Sequence, residues 1–177
     1  MYYKKLIGNH IYLSPMAIDQ EIKTITKWFN EDEEIASNNG FIQSVITEDK
    51  AQTMLLAWAE GDCSLSIIKA DNDEFIGHIS LFNPKKYELG ATMGVYINKQ
   101  NRHHGYGSEA IKLILDYAFN ELNYQFIRVE VFAYNQDAVK TYEKCGFKHV
   151  GKWRNGRYHL GKYHDVLLMD KLKEEHI

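Results

Sequence analysis

Between residues 88 and 134 the hydrophobic pattern changes period twice, and few folds accommodate that order of changes. Over residues 88–97, apolar Leu89, Ala91, Met93, Val95 and Ile97 alternate with Gly90, Thr92, Gly94 and Tyr96. A period of two gives a strand with one apolar face. Over residues 105–122, Ile111, Ile114, Leu115, Ala118 and Leu122 fall on one helical stripe. Residues 125–134 are again rich in β-branched and aromatic side chains, as a strand requires. Strand, helix and strand in succession predict parallel pairing in the middle of a sheet.

The remaining pattern surrounds this unit. A short strand is expected at residues 10–14, a helix at 19–29 and a second helix at 47–60. Thr47 can cap that second helix, Glu48 and Asp49 suit its positive end, and Gly61 stops it. Strands at 64–70 and 74–82 flank the turn residues Asp71-Asn72-Asp73 and read as a hairpin. Asn135 caps a short helix that ends at Gly146, and strands at 147–153 and 162–172 close the chain. The 177 residues suit one domain. Runs of adjacent strands argue against a purely parallel sheet. The expected fold class is therefore α/β (α+β), with a mixed, mostly antiparallel sheet of six to seven strands and about four helices.

Composition narrows the function classes. A net charge of −3 disfavours nucleic-acid binding, which more often uses a basic surface. No apolar run has the length of a membrane span, and the first residues lack a signal-peptide pattern. The two cysteines, Cys63 and Cys145, form no metal or disulfide motif. A cytoplasmic protein without membrane or nucleic-acid partners is expected. His159 and His164 are five apart, on opposite faces if they share a strand, so no metal site is expected.

The segment Asn101-Arg102-His103-His104-Gly105-Tyr106-Gly107-Ser108-Glu109-Ala110 joins the alternating strand to the amphipathic helix. Two glycines let the backbone turn tightly and let a ligand approach it. Amides converging at a helix N-terminus attract phosphate, and Arg102 adds a charge. Gly105-x-Gly107-x-x-Ala110 also fits a short dinucleotide fingerprint, but a polar stretch intervenes after the strand and Glu130 lies inside its strand rather than at its end. A nucleoside-triphosphate loop is excluded, because no Gly-Lys-Ser/Thr is present. A ligand-free glycine turn is the remaining alternative.

Arg102-x-x-Gly105-x-Gly107 resembles the Arg/Gln-x-x-Gly-x-Gly/Ala signature of the GNAT superfamily of N-acetyltransferases. Val95-Tyr96-Ile97 precedes it at the family's spacing. Residues Asn135 to Phe147 resemble its N-x-x-A…Y-x-K-x-G-F segment. The tail from Gly161 to Met169 is similar to one branch, which includes ribosomal-protein N-terminal and spermidine acetyltransferases. The likeness is tight from about residue 88 to 172.

The resemblance implies acetyl-coenzyme A as co-substrate, no metal, a primary amine as acceptor and, in this branch, frequent homodimers. It implies that main-chain groups of Val95, Tyr96 and Ile97 meet the pantetheine arm. It implies that Arg102, His103, His104, Gly105, Tyr106, Gly107 and Ser108 hold the pyrophosphate. His103 and His104 are bulkier than the residues common there. Asn135 would contact the arm or fix its helix, and Lys144 would lie near the phosphates. Tyr142 would protonate the leaving thiolate. The acceptor must lose a proton, since an alkylammonium has no lone pair. Many family members carry a glutamate for this on the strand before the loop, but here Thr92 stands in its place. Glu88 shares Thr92's face about 13 Å away and is the catalytic base expected, through water; Glu130 is the second carboxylate. The acidic run Glu31-Asp32-Glu33-Glu34 reads as a solvated loop or as an attractor of cationic acceptors. Trp28, Phe29, Phe41, Trp153 and Tyr158 read as core, dimer-contact or acceptor-pocket residues.

Overall fold

The computed structural model describes residues 1–39, 44–60, 63–85, 87 and 89–176. Among these, eight strands form one sheet: β1 (Leu6–Ile7), β2 (Ile11–Pro15), β3 (Cys63–Lys69), β4 (Phe75–Lys85), β5 (Gly90–Ile97), β6 (Phe126–Phe132), β7 (Lys148–His159) and β8 (Lys162–Leu172). Their order is β1-β2-β3-β4-β5-β6-β8-β7. The helices are α1 (Ile18–Glu31), α2 (Glu33–Asn38), α3 (Glu48–Ala59), α4 (Tyr106–Asp116) and α5 (Gln136–Lys144). The eighth strand, β1, is only two residues long and carries no readable alternation. The fifth helix, α2, corrects the expectation of a loop at the acidic run. Asp32 caps it, its carboxylate accepting from the N–H groups of Glu34 and Ile35.

Every strand pair is antiparallel except β5–β6. That parallel ladder has three rungs, Gly90–Phe126, Ala91–Ile127 and Thr92–Arg128. Past Thr92 the two strands separate, while β5 stays paired with β4 as far as Ile97 and β6 stays paired with β8 as far as Phe132. The sheet is split from that point.

One face of the sheet buries Met93, Val129 and Val131 against Ile111, Ile114 and Leu115 of α4 and Val139 and Tyr142 of α5. A second, smaller core holds Ile25 and Phe29 of α1, Ile35 of α2 and Leu55 of α3, with Tyr96 of β5 packed against it. Between sheet and α1 runs a polar row. Ser14, Ser66, His78 and Tyr96 are register partners across β2, β3, β4 and β5. Glu21 of α1, fully buried, lies over the row. Its carboxylate accepts from Ser66 Oγ at 2.6 Å and meets His78 Nε2 at 2.8 Å, while His78 Nδ1 meets the Tyr96 hydroxyl at 2.7 Å. Burial pushes the Tyr96 phenol up, and the Glu21 charge adds to this.

Burial alone would raise the Glu21 carboxyl. The hydrogen bond and charge of His78, followed by Ser66 and the Ala17 N–H, outweigh it and hold the group below its ordinary value. A depressed carboxyl stabilises the fold above the unfolded value and loses that contribution as pH falls through the folded one. Glu21→Ala should therefore cost about 3 kcal/mol or more in urea unfolding at pH 7, because it strands two buried polar partners. The gap between the variant and the parent protein should close as the pH is lowered below 4.5.

Candidate active site

The split exposes the β6-facing edge of residues 93–97, and backbone groups on such an edge need another partner. At the end of β5, Asn98 accepts from the Asn101 N–H at 3.1 Å and the Asn101 side chain at 2.9 Å, pinning a tight 3₁₀ turn, Lys99–Asn101. The chain then runs through Arg102, His103 and His104 to Gly105, whose φ of +85° opens α4. His103 also adopts a positive φ, 63°. His104 Nδ1 meets the Arg102 carbonyl at 2.7 Å, and the His104 ring stacks on Tyr106.

No side chain caps α4. The first N–H groups of a helix have no intrahelical partner, so those of Tyr106, Gly107 and Ser108 form an anion-attracting end. The acid in this turn is turned away: Glu109 accepts from the N–H groups of Asn9 and His10 instead. The two glycines serve different needs. Gly105 is required by its φ, since nothing lies within 4 Å of a Cβ there. At Gly107 the nearest protein atom to a Cβ would be Ile97 Cγ1 at 3.7 Å, so the fold tolerates a methyl and any demand for glycine comes from outside the protein.

The Arg102 side chain does not turn toward α4. Nε donates to Ile97 O at 3.0 Å, and the terminal nitrogens donate to Glu34 at 2.5 Å and Asp32 at 2.6 Å. Asn135 accepts from the Ala138 N–H as the cap of α5, the helix-fixing role foreseen for it. Lys144 is exposed in the last turn of α5, and its neighbour Cys145 approaches the Ser108 carbonyl at 3.9 Å, so that helix end lies beside the start of α4. Burial pushes the Cys145 thiol up, as suits packing rather than nucleophilic chemistry.

Tyr142 lies in the core that also contains Met93, Val129 and Val131, with Val95 and Ile97 packed against it, so it is shared by both strands that border the split. It is 7% exposed, and burial, with the neighbouring Cys145, pushes its phenol up to about 12. Glu88 lies outside the described residues, as does Phe41. Thr92 is the last β5 residue paired with β6. Glu130 is exposed two residues past Arg128, on the same face of β6.

A cavity of about 670 Å³ lies at the mouth of the split, between α2 and the start of α5. Glu31 to Glu34, Ser37 and Asn38 form one wall, Lys99 and Arg102 another, and Tyr134 to Asp137 with His159 the third. The acidic run, Arg102 and Asn135 were singled out in the sequence; Ser37, Asn38, Lys99, Tyr134, Gln136 and Asp137 were given no role there. The acidic run also carries a helix-start pattern, Asp32 followed by two glutamates. His159 and His164 lie on adjacent strands of a hairpin rather than on one strand, and both rings pack on Tyr134. Among the described residues no group of His, Cys, Asp and Glu is arranged to hold a metal, and no helix is long and apolar enough to cross a membrane. Phe29 is core, Trp28 packs against it, and Trp153 and Tyr158 are half exposed on β7.

Residues 10–148 match the family model described as "Acetyltransferase (GNAT) domain", and the chain belongs to that family. It is 35% identical over 86 residues to the "Probable N-acetyltransferase YjcK" of Bacillus subtilis (strain 168), covering 48% of each chain. It is 28% identical over 110 residues to the prophage-derived uncharacterized N-acetyltransferase YokL of the same organism, covering 61% of this chain and 60% of that one. The chain thus spans about half the length of the first relative and three fifths of the second. The fold superposes on the crystal structure of spermidine N-acetyltransferase from Vibrio cholerae, in complex with CoA and spermine, with a TM-score of 0.83 and 22% identity over 96% of this chain and 99% of that one.

The glycines supply the test of this geometry. Gly105→Ala forces a side chain into a left-handed conformation and should cost about 1–2 kcal/mol in thermal or urea unfolding. Gly107→Ala, inside the first helical turn, should unfold at or above the parent midpoint.

Proposed function

We propose that this protein transfers the acetyl group of acetyl-coenzyme A to a primary amine, both substrates being bound together. The observation that carries the reading is the end of β5–β6 pairing at Thr92, followed beyond the free stretch of β5 and a short loop by an uncapped helix start. The backbone groups of Val95 to Ile97 that β4 and Arg102 leave free would pair with the pantetheine arm, and the loop from His103 to Ser108 would take the pyrophosphate through its amides. Lys144, exposed beside the start of α4, would add positive charge near the phosphates.

In the reaction the amine lone pair attacks the thioester carbon. The carbonyl oxygen gains the negative charge, and a β5 backbone N–H stabilises it as it forms. The C–S bond then breaks, the sulfur leaves with the electron pair, and Tyr142 supplies its proton. A phenol held near 12 is protonated throughout the neutral range, as an acid must be. The proton lost by the amine goes through water to a carboxylate, Glu88 or Glu130. Of these Glu130 has the described position, exposed on β6 beyond the last β5 rung.

The wall Glu31 to Glu34, with Asp137 and Tyr134, favours a positively charged acceptor. The Vibrio cholerae enzyme of the same fold was crystallised with spermine, which supports testing polyamines first. The decisive measurement is thiol release from acetyl-coenzyme A with polyamines, peptide N-termini and amino sugars in parallel. Turnover is expected with at least one of them, and Tyr142→Phe should lower kcat about 100-fold or more with coenzyme A affinity kept. Coenzyme A binding without turnover on any amine would instead identify a non-catalytic acyl-coenzyme A binding module.

A further inference from the structure

The short helix α2 touches both sides of the split. At its start, Asp32 and Glu34 hold the guanidinium of Arg102, which follows β5. At its end, the Ser37 carbonyl accepts from Arg157 of β7 at 2.8 Å, on the other half of the sheet. Arg157 in turn lies over the ring of Phe132, the last residue of β6. The helix therefore spans the opening, with the 670 Å³ cavity bordered by its residues.

The two anchors differ in quality. Arg102 uses Nε and both terminal nitrogens, is 16% exposed and meets one carboxylate that is 9% exposed. Asp32 does double duty, one oxygen capping α2 and the other holding Arg102. At the far end, Asn38 Oδ1, Arg157 Nε, Tyr134 Oη and His159 Nδ1 are all buried without a hydrogen-bond partner among the described residues. Each such group is left with an uncompensated desolvation cost. The start of α2 is thus well satisfied and its end is not.

We propose that Arg102 and Arg157 are positioning residues for the acceptor side, which strap α2 across the split, firmly at Asp32 and loosely at Ser37 and Asn38. Arg102 then serves the acceptor wall through its side chain, and the loop it opens serves the cofactor through backbone amides alone. The acceptor enters at the loose end, where an ammonium can donate to Asn38 Oδ1 and Tyr134 Oη as the helix lifts.

The proposal rests on the acetyl-transfer reading only for its kinetic arm. Two variants probe the firm anchor, Arg102→Ala and Asp32→Asn; asparagine keeps the helix cap while removing the charge. Hydrogen exchange should show amides of residues 34–38 exchanging about tenfold faster or more in both variants, with α4 and β4 unchanged. Coenzyme A affinity, by calorimetry, should stay within about threefold of the parent in both, because the amides that bind phosphate are untouched. With an amine found to turn over, the acceptor KM should rise about tenfold with kcat less affected, and Arg157→Gln should reproduce that effect with faster exchange confined to residues 36–39. Loss of coenzyme A affinity by tenfold in Arg102→Ala, or a gain in Asp32→Asn as a freed guanidinium reaches phosphate, would overturn the proposal. So would unchanged exchange in α2. If the parent protein turns over no amine, exchange and coenzyme A binding still decide the matter.

Discussion

The whole arrangement depends on a three-rung parallel ladder. Gly90, Ala91 and Thr92 pair with Phe126, Ile127 and Arg128, and nothing beyond continues the pairing. Sheet continuity up to that rung comes from an ordinary crossover through α4. The separation past it is enforced from outside the ladder. β5 follows β4 to Ile97, β6 follows β8 to Phe132, and each of these antiparallel ladders is longer than the parallel one. Since a parallel rung is slightly the weaker, the sheet yields where parallel pairing competes with two antiparallel partners. The core below fills the space between the diverging strands with Tyr142, Val139 and the α4 stripe.

An opened strand edge inside a protein is an unmet hydrogen-bonding demand, and among the described residues the chain meets it at Ile97 O, through Arg102 Nε. The helix start that faces the mouth has no cap, and Glu109, the acid best placed to neutralise it, is drawn off by Asn9 and His10. Arg102 is drawn off in the other direction by Asp32 and Glu34. What is left at the mouth is backbone, which suits a ligand recognised by an extended amide chain and a pyrophosphate. Rigidity is supplied on the α1 face by the Glu21–His78–Tyr96 row, which fixes β5 through a side chain at the level where its pairing with β6 has ended.

The fold was legible wherever one period governed a long segment. The β5–α4–β6 unit, the β3–β4 hairpin and the Thr47 and Asn135 caps were read from local chemistry, and they appear in the structure. What escaped was short or paired at a distance. β1 is two residues, too few for alternation, and α2 is six residues hidden in a charge run. The eventual partners of Arg102 are 68 and 70 residues away, and Arg157 reaches 120 residues back to Ser37. No periodicity encodes such contacts. The two histidines misled because a turn at Leu160 and Gly161 separates them, so spacing along one strand did not apply. The glycine loop was legible as a tight turn into a helix start, since that geometry is local; the direction of its arginine was not.

Thr92 also changes meaning in the structure. As the last residue before the strands part, it sits at the apex of the split, paired with Phe82 on one side and Arg128 on the other. A carboxylate carried here by β5 would share the face of Tyr96, four residues on. β6 could serve the same space from across the opening with the residue two positions beyond the last rung, which is Glu130. Strand geometry puts positions two apart on the same face, about 7 Å from one another, so Glu130 shares the face of Arg128 and stands just past the apex. A base on β6 would leave threonine free to occupy the β5 position. It would also place the proton acceptor and Tyr142 on opposite faces of the sheet, the acid among the core residues beneath the split and the base on the exposed side. That separation matches the chemistry: the amine arrives and loses its proton on one side of the thioester, and the thiolate leaves and gains one on the other.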